Sequence, residues 1–134
     1  MRCRIVCTFA LLCLSSGTLL ARSPKSAAHA PDPYYRSALA AANRFLTAWQ
    51  TQDHQTGIIM LSDTARQHTS PELLQTFFSP GPQPAFEISR GRRTTAGEYV
   101  FPVVLFESAS SRRRCSKIIV TRSGKDDWAI NNLP

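Results

Sequence analysis

The sequence lacks most of the features from which chemistry is usually read. It has four cysteines in 134 residues, and Cys3, Cys7 and Cys13 all lie within the first thirteen positions. Only Cys115 lies beyond them, so the rest of the chain cannot close an internal disulfide and must be held by its core. No His-x-x-x-His or Cys-x-x-Cys spacing occurs, and of three histidines only His54 and His68 lie beyond residue 30. A metal site needs several convergent ligands, so neither metal nor cofactor is expected. The longest apolar run, residues 5–14 (IVCTFALLCL), is short for a transmembrane span.

That run, preceded by Arg2 and Arg4 and followed by Ser15, Ser16, Gly17 and Thr18, reads as a signal peptide. Cleavage fits after Ala21 (leader 1–21) or as late as Ala30, the better small-x-small match. An uncleaved anchor is the alternative, and would be the only membrane contact expected. Cys7 and Cys13 follow bulky pairs (Ile5-Val6, Leu11-Leu12), which argues against lipid attachment. The expected location is therefore periplasmic or secreted. Setting the leader aside also changes the charge. The formal net of +7 falls to +3 from residue 31 onward, with twelve basic against nine acidic side chains. A balance of that size is not the footprint of a nucleic-acid binder.

What remains is one domain. Residues 22–33 are rich in Pro, Ala and Ser and read as a flexible spacer, with the folded part at 34–134, roughly 100 residues. Over 34–52, Tyr35, Ala38, Leu39, Ala42, Phe45, Leu46 and Trp49 recur at three- and four-residue spacing, which predicts an amphipathic helix. A shorter helix is expected through 57–61, with Gly57 against it, and a polar loop over 62–69. Ser70-Pro71-Glu72 is a helix start: a capping hydroxyl, a proline in the first turn, an acid near the positive end. The pattern then changes. Residues 85–90, 98–107 and 115–122 read as strands and 128–133 as a short last one, with polar connectors over 91–97 and 108–114. The run 98–107 is apolar on both faces, which predicts cover on both. Pro102 within it predicts a bulge or an unpaired edge position, because proline has no N–H to give a ladder. Helices first and antiparallel strands afterwards argue α+β.

This order resembles the NTF2-like superfamily, in the manner of its exported SnoaL-like members. The carrying residues are Phe45-Leu46-x-Ala48-Trp49 followed by Asp53, then Ser70-Pro71-Glu72-Leu73-Leu74, then the closing Gly124-Lys125-Asp126-Asp127-Trp128-Ala129-Ile130. The resemblance implies a cone in which three N-terminal helices pack on a curved, mostly antiparallel sheet. It also implies a pocket between the layers, and homodimers are common among similar folds. Some members are isomerases, hydrolases or cyclases and others only bind, so fold does not fix function.

Four groups of residues are candidates. Asp53 with His54, and Asp63 with His68, each pair a carboxylate with an imidazole, the components of general-base chemistry. The simpler reading of both is a solvated helix end or loop. Phe45, Trp49, Phe101, Phe106 and Trp128 suit an apolar ligand pocket, or equally a core. Arg90, Arg92, Arg93, Arg112, Arg113 and Arg114 would form an anion site if their two connectors met at one end of the sheet. Cys115, beside the last three, would serve as a nucleophile only with a base nearby. The leading expectation is a non-enzymatic exported domain that binds a small apolar ligand or an envelope protein. An isomerase- or hydrolase-type enzyme using a pocket acid with His54 or His68, and an accessory protein gripping an anionic surface through the arginines, are the alternatives.

Overall fold

The computed structural model describes residues 32–107 and 112–134. The expected leader and most of the spacer lie outside the described residues. Helix α1 (Pro33–Gln50) begins where the sequence supplies its cap: Asp32 accepts from the Tyr34 amide at 3.1 Å, and Pro33 needs no intrahelical donor. Its stripe of Ala38, Ala42, Phe45, Leu46 and Trp49 is buried, as the spacing predicted. Asp53 caps α2 (His54–Met60), its carboxylate accepting from the Thr56 amide at 3.0 Å. Gly57 sits inside this helix for a steric reason. A Cβ there would lie 2.0 Å from Cζ of the buried Phe78 ring.

The expected loop at 62–69 contains a further short helix, α3 (Asp63–Gln67). Its start is legible afterwards, since the Ser62 hydroxyl accepts from the Ala65 amide at 3.0 Å. Ser70 does the same for α4 (Pro71–Phe77).

The strands are β1 (Ala85–Ile88), β2 (Arg92–Thr95), β3 (Glu98–Glu107), β4 (Arg112–Arg122) and β5 (Trp128–Ile130), with all ladders antiparallel. Two expected connectors prove to contain strand: β2 lies within 91–97, and the arginines at 112–114 begin β4. A polar strand of this kind has no hydrophobic alternation to announce it and is held by its partner's backbone. The last strand is shorter than expected. After Ile130 the Asn132 side chain takes over, accepting from the Ile119 amide at 2.7 Å and donating to the Lys117 carbonyl at 2.9 Å.

Both β1 and β2 pair with the same edge of β3, one with residues 103–106 and the other with 98–100. Pro102 faces the gap between them. It is paired with Lys117 on the β4 side, and its carbonyl accepts from the Ser89 amide at 2.9 Å on the other. In an antiparallel strand a residue's N and C=O point the same way. The missing N–H of Pro102 therefore faces the gap, and the strand needs no bulge there.

Helix α1 packs against β1, β3, β4 and β5, so the sheet curls around it. A single parallel bridge, Leu61 to Ile130, ties the helical half to the last strand, with the Ser62 amide donating to the Ile130 carbonyl at 2.8 Å. Between the layers lies one aromatic-rich core, with Phe45, Trp49, Phe78, Tyr99 and Phe101 each essentially inaccessible. Phe45 stacks on Phe77 and meets Phe78 edge-on, with centroids 6.0 and 5.7 Å apart.

Candidate functional site

Alternation along β3 points Tyr99, Phe101, Val103 and Leu105 into the cone, where they meet Phe45, Trp49 and Phe78 from the helices. Three of the residues expected to line a pocket, Phe45, Trp49 and Phe101, are thus core. The reason is size: aromatic rings from both layers fill the space that a cone would otherwise leave. No polar or charged residue is buried among the described residues. Trp49 contributes the one orphan: its indole N–H has no partner among them.

An open concavity lies elsewhere, along one flank of α1. There Ser37, Ala40, Ala41 and Arg44 fall on successive turns, and three of the four are small. A row of small side chains leaves a trough between the α2–α3 segment and the β4–β5 turn, with a cavity volume of about 920 Å³. Ile59, 68% exposed, and Met60 stand on one wall, and Asp126, Asp127 and Trp128 on the other. Ser37 and Arg44 are seven residues apart, so the trough runs about 10 Å along the helix.

Its charges are separated along that length. Trp128 lies at the α1 start, its ring 6.4 Å from that of Tyr34. The Arg122 guanidinium is fixed there by the Gly124 and Lys125 carbonyls and lies 4.5 Å from the Tyr34 centroid. Nearly three turns along α1 from Tyr34, Arg44 is exposed and Arg66 pairs with Asp63. A second, smaller hollow of about 400 Å³ lies by His68, Leu73 and Leu133.

The arrangement of helices and curled sheet matches a solved structure, a ketosteroid isomerase-like protein from Erwinia carotovora atroseptica SCRI1043. The TM-score is 0.54 at 16% identity, covering 75% of this chain and 93% of that one. The fold is NTF2-like. No protein-family model and no curated protein matches the sequence. The resemblance carried by the Trp49 helix, the Ser70-Pro71 start and the Trp128 ending therefore holds at the level of fold.

Within this NTF2-like frame the remaining candidates scatter. Asp53 and His54 are neighbours, but the carboxylate is engaged as a helix cap. Its hydrogen bonds from Thr56 hold it below the ordinary carboxylate range. The His54 ring lies against Phe78, with centroids 5.7 Å apart. His68 is bonded through Nδ1 to the Thr64 carbonyl at 2.8 Å, and Asp63 is paired with Arg66. Each polar group is engaged locally at an exposed or half-exposed position.

The six arginines do not converge. Register sets Arg92 opposite Val100 and Arg93 opposite Tyr99, but Arg113 opposite Phe106. Six residues of strand separate the two groups, about 20 Å. Alternation divides them again: Arg114 reaches over Phe77, 5.9 Å from its centroid, while Arg113 lies at the same distance from Phe106 on the other face. Phe106, 37% exposed, belongs to that outer face and not to the cone. Arg90 is exposed beyond the end of β1, and only the backbone position of Arg112 is described. Cys115 is exposed opposite Val104.

One constellation gave no signal in the sequence. The buried Tyr99 phenol donates to Asp32 Oδ2, while Asp32 Oδ1 caps α1. Burial first, and the Asp32 bond second, push the phenol up to about 12; the same bond lowers the Asp32 carboxyl. The two residues are 67 positions apart, beyond the reach of any local pattern. Among the described residues no group of three or more His, Cys, Asp or Glu side chains could hold a metal ion, and no helix is long and apolar enough to cross a membrane.

Proposed function

We propose that this chain is an exported NTF2-like interaction domain that holds an extended segment of an envelope protein in the trough along α1. The observation that carries this reading is the contrast between a cone interior filled by Phe45, Trp49, Phe78 and Phe101 and an open trough of about 920 Å³ beside it. A filled interior argues against a small apolar ligand, which would need an enclosed cavity. An open trough suits a chain segment that enters and leaves along its length. The separated charges state what that segment would carry: a basic group for Asp126 and Asp127, an apolar side chain against Trp128 and Ile59, and an acidic group for Arg44.

Catalysis of the isomerase or hydrolase type would call for an acid or base held out of water beside the reacting atoms, and no polar or charged residue is buried among the described residues. Asp53, His54, Asp63 and His68 serve as caps, pairs and ring contacts, which favours binding over reaction. The reading is tested by placing a photo-reactive residue at Ala40, in the trough, and at Glu72, on α4 away from it. Crosslinking in cells to one protein from position 40 and not from position 72 is expected. Equal capture from both positions, or capture from neither, overturns the reading. So does native mass spectrometry showing a stoichiometric small molecule retained in the domain.

A further inference from the structure

The trough lies along a strand edge whose backbone is not fully paired. Strand β5 ends the order β1-β3-β4-β5 and pairs with β4 alone. The Ser123 amide donates to the Asp127 carbonyl at 2.9 Å, and the Asn131 amide to the Ile119 carbonyl at 2.8 Å. Residues 127, 129 and 131 therefore turn their backbone groups toward β4, and Trp128 and Ile130 turn theirs away. Ile130 is engaged on that far side: it bridges in parallel to Leu61, and its carbonyl accepts from the Ser62 amide at 2.8 Å. Leu61 is extended, but the chain just before it is coiled in α2. The strand position beside Trp128, two residues or about 7 Å from the Leu61 bridge, is thus left open. Among the described residues the Trp128 N–H and C=O have no hydrogen-bond partner. The trough opens at this place. Trp128 faces α1, its ring 5.6 Å from that of the buried Tyr99, and Ala129 faces the opposite side, yet both line the trough. A cavity reaches both faces of a strand only across a free edge.

We propose that the partner segment is held as an added strand beside β5, its backbone exchanging two hydrogen bonds with Trp128. The inference rests on the trough reading above and specifies what the trough recognises: backbone first, side chains second. Unpaired N–H and C=O groups on a sheet edge are a template for another extended chain. Strand addition draws its affinity from main-chain bonds and its selectivity from alternate side chains. A residue set opposite Trp128 points its side chain to the same face, toward Ser37, Ala40 and Ala41 of α1. Those small side chains leave room for a branched or aromatic one. The residues on either side of it point the other way, past Ala129, and can be polar. A trough about 10 Å long holds about three extended residues. The occupant is thus an extended triplet with an apolar residue at its centre. Leu61 shows that the geometry is accessible, since this chain already seats one extended residue of its own on the same edge. A helical segment would spend its backbone groups internally and leave Trp128 unpaired.

Amide hydrogen exchange by NMR on the purified protein is the first test. The Trp128 amide should exchange about 100-fold or more faster than that of Ala129, whose N–H faces β4. Equal protection of the two would mean that the edge is already paired, and overturns the proposal. Two variants then separate backbone from ring. Trp128→Ala loses the indole and keeps the N–H; Trp128→Pro loses both. Proline is tolerated where its missing N–H faces away from the ladder, as at Pro102. With both variants folded by circular dichroism, a photo-reactive residue at Ala40 should capture its protein a few-fold less in Trp128→Ala, and about tenfold less again in Trp128→Pro. Equal capture by the two variants overturns the added strand and leaves the trough reading standing, since the original chain still captures. A third measurement needs no variant at 128. In the complex crosslinked from position 40 and purified, the Trp128 amide should slow by about tenfold or more relative to the free chain. Unchanged exchange overturns the proposal. No capture by the original chain removes the trough reading, and the added strand falls with it.

Discussion

The two faces of β3 are built from nearly the same amino acids and do opposite work. Tyr99, Phe101, Val103 and Leu105 point inward and are inaccessible; Val100, Pro102, Val104 and Phe106 point outward and are half-buried or exposed. Composition does not separate the two sets, since each contains valine and phenylalanine. What separates them is where α1 lies. An aromatic opposite a helix becomes core, and an aromatic one residue along becomes surface. Exposed apolar area of this kind is available for association, whereas inward area is already spent on folding.

Substitution should break or sharpen this contrast in a graded way. The largest effect is expected at the inward positions. Leu105→Ala should cost about 2–5 kcal/mol, measured by urea unfolding, whereas Phe106→Ala, its outward neighbour, should cost under about 1 kcal/mol. Equal losses would mean that the outer face is covered after all. Next comes Gly57→Ala. The added methyl would enter the space of the Phe78 ring, and a loss of about 1–3 kcal/mol is expected despite alanine's better helix propensity.

Tyr99→Phe should act less on stability at neutral pH and more on its pH dependence. The phenol's folded value is raised from 10.0 to about 12. Its contribution is therefore complete below pH 10 and is lost as pH rises through 12. The Asp32 carboxyl is lowered from 3.8, so its contribution is present above that value and is lost as pH falls through the folded value. Unfolding midpoints between about pH 9 and about pH 12 should fall for the original chain and stay flatter for Tyr99→Phe. Parallel profiles would show that the phenol is not held by this pair. The smallest expected effect on folding is at the trough. Ala40→Arg fills an exposed position and should shift the midpoint by less than about 0.5 kcal/mol, yet abolish crosslinking from a probe at Ile59. An unchanged crosslink would remove the trough from the binding surface.

The same contrast explains how much of the molecule was legible in advance. Helices α1, α2 and α4 and strand β3 could be read because their signals are local. The capping Ser70 bonds an amide three residues away, and the apolar stripe of α1 repeats within its own turns, whereas Asp32, read as part of the spacer, proves to cap α1. Helix α3 and strand β2 were missed because polar segments carry no periodicity. The former rests on a Ser62 cap and the latter on backbone pairing with β3. The candidate site fared worse. The arginines would form one cluster only if their two stretches met at one end of the sheet, but β3 is long enough to hold them at its two ends. The trough could not be foreseen from Ser37, Ala40 and Ala41 alone, since small residues on a helix flank make a hollow only when walls rise beside them.

The sequence by itself determined that helices precede strands, the Ser70 cap, the α+β class and the inward stripe of α1, because each follows from patterns within a few residues. Only the tertiary structure decided which aromatics are core, which face of the sheet stays open, where the charges fall and that Tyr99 reaches Asp32. Those depend on register and on the curl of the sheet around α1, which bring together residues many tens of positions apart.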